Sequence, residues 1–232
     1  MARSKVNVFI TGTDTNIGKT ITCAVLLDYF KEFKPFYYKP VQTGVSIVDN
    51  TVVSEDITTI NLLTGNNFNA NESNSYILQA PMSPYQASKR EGVEINLNKI
   101  RTDFEKIVST YNFIICEGVG GVLVPVTKRL SMIDVIKKLN SKVVVTVSPR
   151  LGTLNHSLLT FRELARSNIE VIGFIMNNYP SIEDDVTKEN PIILEEISGI
   201  KYLGRIMHAE EKNLLPRFHP NISREQFLKV IY

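Results

Sequence analysis

Gly12-Thr13-Asp14-Thr15-Asn16-Ile17-Gly18-Lys19-Thr20 is the stretch that decides the fold. An apolar run, Val6-Asn7-Val8-Phe9-Ile10, precedes it, and Ile21-Thr22-Cys23-Ala24-Val25-Leu26-Leu27 follows. That order predicts a strand over 6–11, a glycine-bounded loop and a helix over 19–31. Successive backbone N–H groups in such a turn, with the first N–H groups of the helix, make a concave anion site. Lys19 can place its charge on the outer phosphates of a nucleotide, and the Thr20 hydroxyl can ligate Mg²⁺. The loop departs from the usual G-x-x-x-x-G-K-[ST] spacing. Thr13 holds the expected first glycine position, and Gly12 lies one residue earlier. The plain alternative is an ordinary strand-to-helix turn with Lys19 in solvent.

The same alternation continues outward. Residues 36–39 read as an aromatic strand that stops at Pro40, and Ser54 caps a helix to Leu63 with Glu55 and Asp56 in its first turn. Residues 64–80, rich in asparagine, predict a long polar connection, and 83–90 a short helix. Leu97, Ile100, Phe104, Ile107, Val108 and Tyr111 recur at helical spacing. Asn112 to Cys116 reads as a strand covered on both faces, ending in Glu117-Gly118-Val119-Gly120-Gly121. Ser131 opens a capping box for a helix to Leu139, Lys142 to Val147 is a strand, and Leu154 to Ala165 mark a helix face. A strand over 171–176 ends in Asn177-Asn178, and Asn190-Pro191 predicts a helix start. A last strand covers 202–207, and a helix over 225–231 closes the chain. This pattern predicts an α/β P-loop (Rossmann-like) fold in one domain, 1–232, with a mostly parallel sheet flanked by helices on both faces.

The chain of 232 residues is 43% hydrophobic, enough for one large core. A net charge of +2 gives no broad basic surface for nucleic acid. Cys23 and Cys116 sit in apolar runs and the three histidines are scattered, so neither a disulfide framework nor a zinc site is expected. The N-terminus lacks the apolar stretch of a secretory signal, and no run reaches the ~20 apolar residues that span a bilayer. A cytoplasmic protein without membrane partners is the expectation.

The unusual residues fall where strands are predicted to end: the 12–20 loop, Lys39, Glu117, Asn177 and His208. In open α/β sheets ligands bind at that edge. Mg²⁺ prefers hard oxygen donors, so Glu117 is a natural supplement to Thr20. Gly118, Gly120 and Gly121 allow backbone to approach a phosphate. Asp56 fits a ligand and a helix-start acid equally well. Lys39 could neutralise charge in phosphoryl transfer or be an exposed lysine at a strand end. Thr43 and Gly44 could bind a polar substrate group or only form the turn.

The loop at 12–20, Tyr38-Lys39-Pro40-Val41-Gln42-Thr43-Gly44, Glu117-Gly118-Val119-Gly120-Gly121 and Leu151-Gly152-Thr153-Leu154-Asn155-His156 occur in this order. Together they resemble the dethiobiotin synthetase family, from the first strand to about Met207, and in that family the displaced glycine is normal. The resemblance implies ATP-dependent carboxylation and ring closure of 7,8-diaminononanoate with CO₂ in biotin biosynthesis, through a carbamate and a carbamic-phosphoric anhydride. It implies Lys39 and Lys19 as catalytic cations, and Thr20, Asp56 and Glu117 as Mg²⁺ ligands. Substrate contacts are implied for Thr15, Thr43, Gly152, Thr153, Leu154 and Asn155, the last four from a neighbouring subunit, hence a homodimer. Nucleotide contacts are implied for Asn16, Ile17, Gly18, Lys19, Thr20, Ile21, Asp56, Glu117, Gly118, Val119, Gly120, Asn177, Asn178, Met207 and His208. The sequence departs from the family pattern at Asn16, at Val124-Pro125 and at Met207, where proline is usual near the base. Two other classes share the loop. A partitioning-type nucleotide-switch ATPase carries a second lysine early in the loop, and none stands in Gly12-Thr13-Asp14-Thr15. Another P-loop amide-forming ligase or kinase would differ only in its acceptor.

Overall fold

The computed structural model describes residues 5–209, 211 and 213–232. Met1 to Ser4, most of the N-terminal segment read for a signal, and Glu210 and Lys212 in the tail lie outside the described residues. Strand β1 (Val6–Gly12) leads into helix α1 (Lys19–Tyr29), followed by β2 (Phe36–Tyr38), β3 (Val41–Thr43) and a hairpin of β4 (Ser46–Val48) and β5 (Thr51–Val53). Helices α2 (Glu55–Thr64) and α3 (Ala70–Ser73), strand β6 (Tyr76–Leu78), and helices α4 (Pro84–Glu91) and α5 (Leu97–Thr110) come next. Then come β7 (Phe113–Gly121), α6 (Met132–Leu139), β8 (Lys142–Val147), α7 (Thr153–Arg166) and β9 (Val171–Tyr179). The chain closes with α8 (Asp185–Ser198), β10 (Tyr202–Met207), β11 (Phe218–Pro220) and α9 (Arg224–Ile231).

Seven strands form the main sheet in the order β11-β10-β9-β8-β1-β7-β2, parallel throughout except for antiparallel β11. This is the predicted α/β architecture. Phe113, Ile114, Ile115 and Cys116 are all at most 2% exposed, which a parallel strand covered on both faces requires. One face packs Phe113 and Ile115 against Cys23, Leu26 and Leu27 of α1, Ile60 of α2 and Phe227 of α9. The other packs Ile114 and Cys116 among Ile100 and Phe104 of α5, Ile136 of α6, Phe161 of α7 and Leu194 of α8. Strand β1 lies between β7 and β8; from β1 the chain runs through α1 toward β2, whereas from β8 it runs through α7, on the other face, toward β9. The loop after β1 therefore opens at the switch point, outside the carboxyl ends of the strands.

Several boundaries differ from the sequence reading. Helix α1 stops at Tyr29 and continues as a 3₁₀ turn over Lys31–Phe33. Residues 64–80 are not an unstructured connection: Asn69 caps α3 and β6 pairs in parallel with β3. Elements of three or four residues are too short for periodicity to reveal. Strand β7 runs four residues past Glu117, and β9 includes Asn177 and Asn178, so these side chains sit within strands rather than after them. Helix α8 starts at Asp185, capped by Asp184 Oδ1, which accepts from the Thr187 N–H at 2.7 Å, so Asn190-Pro191 is not its start. Pro191 lies inside the helix and withholds the N–H that would bond the Thr187 carbonyl. The buried Tyr179 hydroxyl supplies that donor instead, at 3.1 Å. The Asn190 amide donates to the Pro149 carbonyl at 2.8 Å, a tertiary tie.

Candidate active site

The phosphate loop owes its shape to close approaches. A Cβ on Gly12 would lie 2.4 Å from Ile17 Cγ2, so the loop folds back on the one residue with no side chain to obstruct it. Thr13, at the customary glycine position, donates its backbone N–H to the Thr146 carbonyl of β8 at 3.3 Å. Gly18 caps α1 at φ 90°, and a Cβ there would meet the Asn177 amide nitrogen at 1.9 Å. Asn177 is buried, and its amide donates to the Ile17 carbonyl at 2.9 Å. Strand β9 thus holds the loop directly. Ile17 is buried as well, so its side chain and its carbonyl both anchor the loop.

Beneath the loop the charged residues converge. Lys19, only 7% exposed, donates to the Asp14 carbonyl at 2.9 Å, and burial holds its pKa below that of an ordinary lysine despite nearby Glu117. The Thr20 hydroxyl stands 2.9 Å from both Asp56 Oδ1 and Glu117 Oε1. Lys39 Nζ donates to Asp56 Oδ2 at 2.6 Å and to Glu117 Oε1 at 2.8 Å. Burial disfavours the Lys39 charge, but Glu117 and Asp56 outweigh it and raise its pKa. Burial likewise pushes Asp56 up, and Lys39, Gln42 and Thr20 more than reverse it. Lys39 stays charged between two carboxylates. Local pattern had left Asp56 and Lys39 undecided, and here both join the loop.

This donor set fits a divalent cation. A hydroxyl has one proton and cannot donate to two carboxylates at once, so one of the two 2.9 Å contacts lacks a hydrogen. A hard cation among these oxygens would remove that conflict. No group of three or more His, Cys, Asp or Glu side chains able to hold a metal exists among the described residues. The Thr20 hydroxyl with the Asp56 and Glu117 carboxylates is a donor set of the kind Mg²⁺ takes, one or two carboxylates together with substrate phosphates.

The loop also borders a cavity of about 720 Å³, lined among others by Thr15, Asn16, Ile21, Asn178 and Met207. The His208 ring approaches the Asn178 side-chain oxygen at 2.5 Å, at the exposed rim. Gly118, Val119 and Gly120 continue β7 beside the loop, and a Cβ on Gly120 would lie 3.5 Å from Thr15 Oγ1. Thr43 is half-buried at the end of β3. The Gly152 turn opens α7 at φ 93°, with Leu151, Gly152 and Asn155 exposed and Leu154 half-buried. Thr153 is buried, its hydroxyl 3.4 Å from that of Ser157, so its side chain turns into the helix. Two site residues escaped the sequence reading: Tyr37, whose hydroxyl donates to Glu117 Oε2 at 2.8 Å, and Gln42, whose amide donates to Asp56 Oδ2 at 2.9 Å. Gln42 lies in the quoted Tyr38 to Gly44 motif and Tyr37 in the aromatic strand before it, but only three-dimensional pairing marks them.

Residues 6–212 match a family model described as an AAA domain. The chain is 32% identical over 209 residues to the ATP-dependent dethiobiotin synthetase BioD of Clostridium perfringens strain 13, covering 88% of this chain and 91% of that one. It is 36% identical over 200 residues to the protein of that name from Methanococcus vannielii, covering 85% and 91%. Among solved structures, a ParA family ATPase from Chlorobium tepidum TLS superposes with a TM-score of 0.52 at 15% identity, covering 88% of this chain and 85% of that one. Chloroplast FtsY from Physcomitrella patens does so at 0.50 and 18%, covering 100% and 66%. These two likenesses concern the fold.

Proposed function

Because this chain belongs to the ATP-dependent dethiobiotin synthetase family, we propose that it closes the ureido ring of dethiobiotin from 7,8-diaminononanoate, CO₂ and ATP. As a member of that family it is an ATP-dependent ligase of biotin biosynthesis. One amine adds CO₂ to give a carbamate and a proton. The carbamate oxygen attacks the γ-phosphorus, ADP leaves, and a carbamic-phosphoric anhydride forms. The second amine attacks the anhydride carbonyl, closing the ring and releasing phosphate.

Two anions must meet in this sequence, and the observation that supports it most is the convergence of Lys19 and Lys39 beside the loop. Lys39 spends two of its three donors on Asp56 and Glu117, leaving one for an incoming phosphate or carbamate oxygen. Lys19, anchored on the Asp14 carbonyl, extends the positive field over the loop. Such fixed cations stabilise charge that develops in the transition state. Thr20, Asp56 and Glu117 would hold Mg²⁺, which when bound neutralises phosphate charge. Thr15 and Thr43 would orient the diamine. Asn16, Ile17, Gly18 and Ile21 with Gly118, Val119 and Gly120 would line the nucleotide, and Asn177, Asn178, Met207 and His208 its base. Gly152, Thr153, Leu154 and Asn155 would bind the substrate carboxylate from the second subunit of a homodimer. Thr153 can do so through its backbone, since its side chain is buried. Leu151, 86% exposed, and Leu123, 62% exposed, are apolar surface that such a partner would cover. The whole chain, 1–232, acts as one ligase domain in the cytoplasm. No described helix is long and apolar enough to cross a membrane.

The test is to mix the protein with diaminononanoate, bicarbonate, Mg²⁺ and ATP. Phosphate release that depends on the diamine, with dethiobiotin seen by mass spectrometry, is the expected result. ATP turnover indifferent to the diamine, with no dethiobiotin, would remove this reading.

A further inference from the structure

The carboxylates of Asp56 and Glu117 each use their two oxygens differently. Asp56 Oδ1 and Glu117 Oε1 converge on Thr20 Oγ1 at 2.9 Å each. The opposite oxygens are tied from behind. Glu117 Oε2 accepts from the Tyr37 hydroxyl at 2.8 Å, and Asp56 Oδ2 from Gln42 Nε2 at 2.9 Å. Lys39 neutralises the pair, sharing Asp56 Oδ2 with Gln42 and touching Glu117 Oε1, which leaves Glu117 Oε2 to Tyr37.

Both tying residues are fixed by the fold. Tyr37 is fully buried in β2, paired in register with Ile115 of β7, so its hydroxyl lies beside the next residue on that face, Glu117. Gln42, 2% exposed in β3, gives its amide nitrogen also to the Thr43 carbonyl at 2.9 Å. Gln42 Oε1 is buried with no hydrogen-bond partner, a desolvated acceptor that a purely structural residue would have little reason to keep. The terminal torsion of a carboxylate is broad, so an untied Asp or Glu spreads its oxygens over many orientations. Outer-shell hydrogen bonds that remove this freedom commonly carry 10–100-fold in metal affinity.

We propose that Tyr37 and Gln42 are positioning residues for the metal: they lock the Glu117 and Asp56 carboxylates so that Oε1 and Oδ1 face Thr20 as a preformed oxygen set. The inference rests on the assignment of Thr20, Asp56 and Glu117 as metal ligands. Gln42 also joins that set to Thr43, linking the metal side of the site to the substrate side.

Mn²⁺ is titrated into the full chain with saturating ADP and followed by electron paramagnetic resonance. ADP affinity is measured separately in excess chelator by calorimetry. Tyr37→Phe keeps the buried ring, and Gln42→Met keeps the length of the chain. Each should weaken Mn²⁺ about 10–100-fold and leave ADP affinity in chelator unchanged. Unaltered Mn²⁺ affinity in both variants overturns the inference. So does an equal loss of ADP affinity with and without metal, or failure to fold, since either assigns the residues to the scaffold. Failure of the unsubstituted protein to bind Mn²⁺ with ADP would instead sink the metal assignment itself.

Discussion

At Lys39 two large influences oppose each other. Burial disfavours its charge, and Glu117 and Asp56 restore it. Removing the ammonium leaves two carboxylates facing each other with little solvent, a change that costs about 3–5 kcal/mol for buried pairs. Lys39→Ala should therefore lower the melting temperature as well as slow turnover. Turnover should fall by about 10²–10³-fold, as loss of a transition-state charge contact does, with ATP affinity changed far less. Near-normal turnover in a folded variant would exclude Lys39 from the chemistry. The pH dependence follows from the same charges. Asp56 titrates lower in the folded chain than in the unfolded one, so its contribution is complete above the ordinary carboxylate value near 3.8 and is lost as pH falls through the folded value. Lys39 titrates higher, so its contribution holds below 10.5 and is lost as pH rises through the raised value. Thermal melts of the unsubstituted protein should draw no pH dependence from this pair between about pH 5 and 10. In Lys39→Ala the sign inverts: Asp56 loses the largest influence that lowers it, burial is opposed only by Gln42 and Thr20, and the melting temperature should climb as pH drops from 7 to 5. A flat profile in the variant would contradict the pairing.

At the scale of elements, helix α8 shows how the fold accommodates an interior proline. The Tyr179 hydroxyl of β9 takes the Thr187 carbonyl that Pro191 leaves without a helical donor. Tyr179→Phe should cost about 1–3 kcal/mol, the usual penalty for stranding a buried polar group. Adding Pro191→Ala should return part of that loss, because residue 191 then supplies the missing N–H. Denaturant melts of the two single variants and the double variant measure this coupling, and simple additivity would refute it. The same helix marks the limit of what sequence pattern reveals. Asn-Pro is a strong local start signal, yet Asp184 caps the helix seven residues before Pro191 because a neighbouring strand donates in proline's place. Long elements with strong periodicity, β1, α1, α5, β7 and β8, were legible, as were the charged residues at the sheet edge. The short strands β3 to β6 and β11 were not, since three residues carry no period. Nor were Tyr37 and Gln42, whose roles arise only where β2 and β3 bring them to Glu117 and Asp56. Glu117 itself was legible, but as a strand-end residue. The strand in fact continues through Gly121, so its carboxylate is held by a flanked backbone rather than by a turn.

At the scale of the whole molecule, one sheet edge gathers the loop after β1, Lys39 after β2, Asp56 at the start of α2 and Glu117 on β7. The Gly152 turn and Leu151 lie exposed on the same chain, which suits a site completed by a second copy. Sedimentation equilibrium should give twice the 26.2 kDa chain mass, and Leu151→Glu should shift it toward the single-chain value. A monomer retaining full activity would contradict the shared carboxylate site. The central claim, that a carbamate oxygen attacks the γ-phosphate beside Lys19 and Lys39, is tested by following that oxygen. With ¹⁸O-labelled bicarbonate, used before label exchanges with water, each ring closed should deliver one ¹⁸O to the released phosphate and one to the ureido carbonyl. Phosphate carrying no label while dethiobiotin accumulates would contradict it.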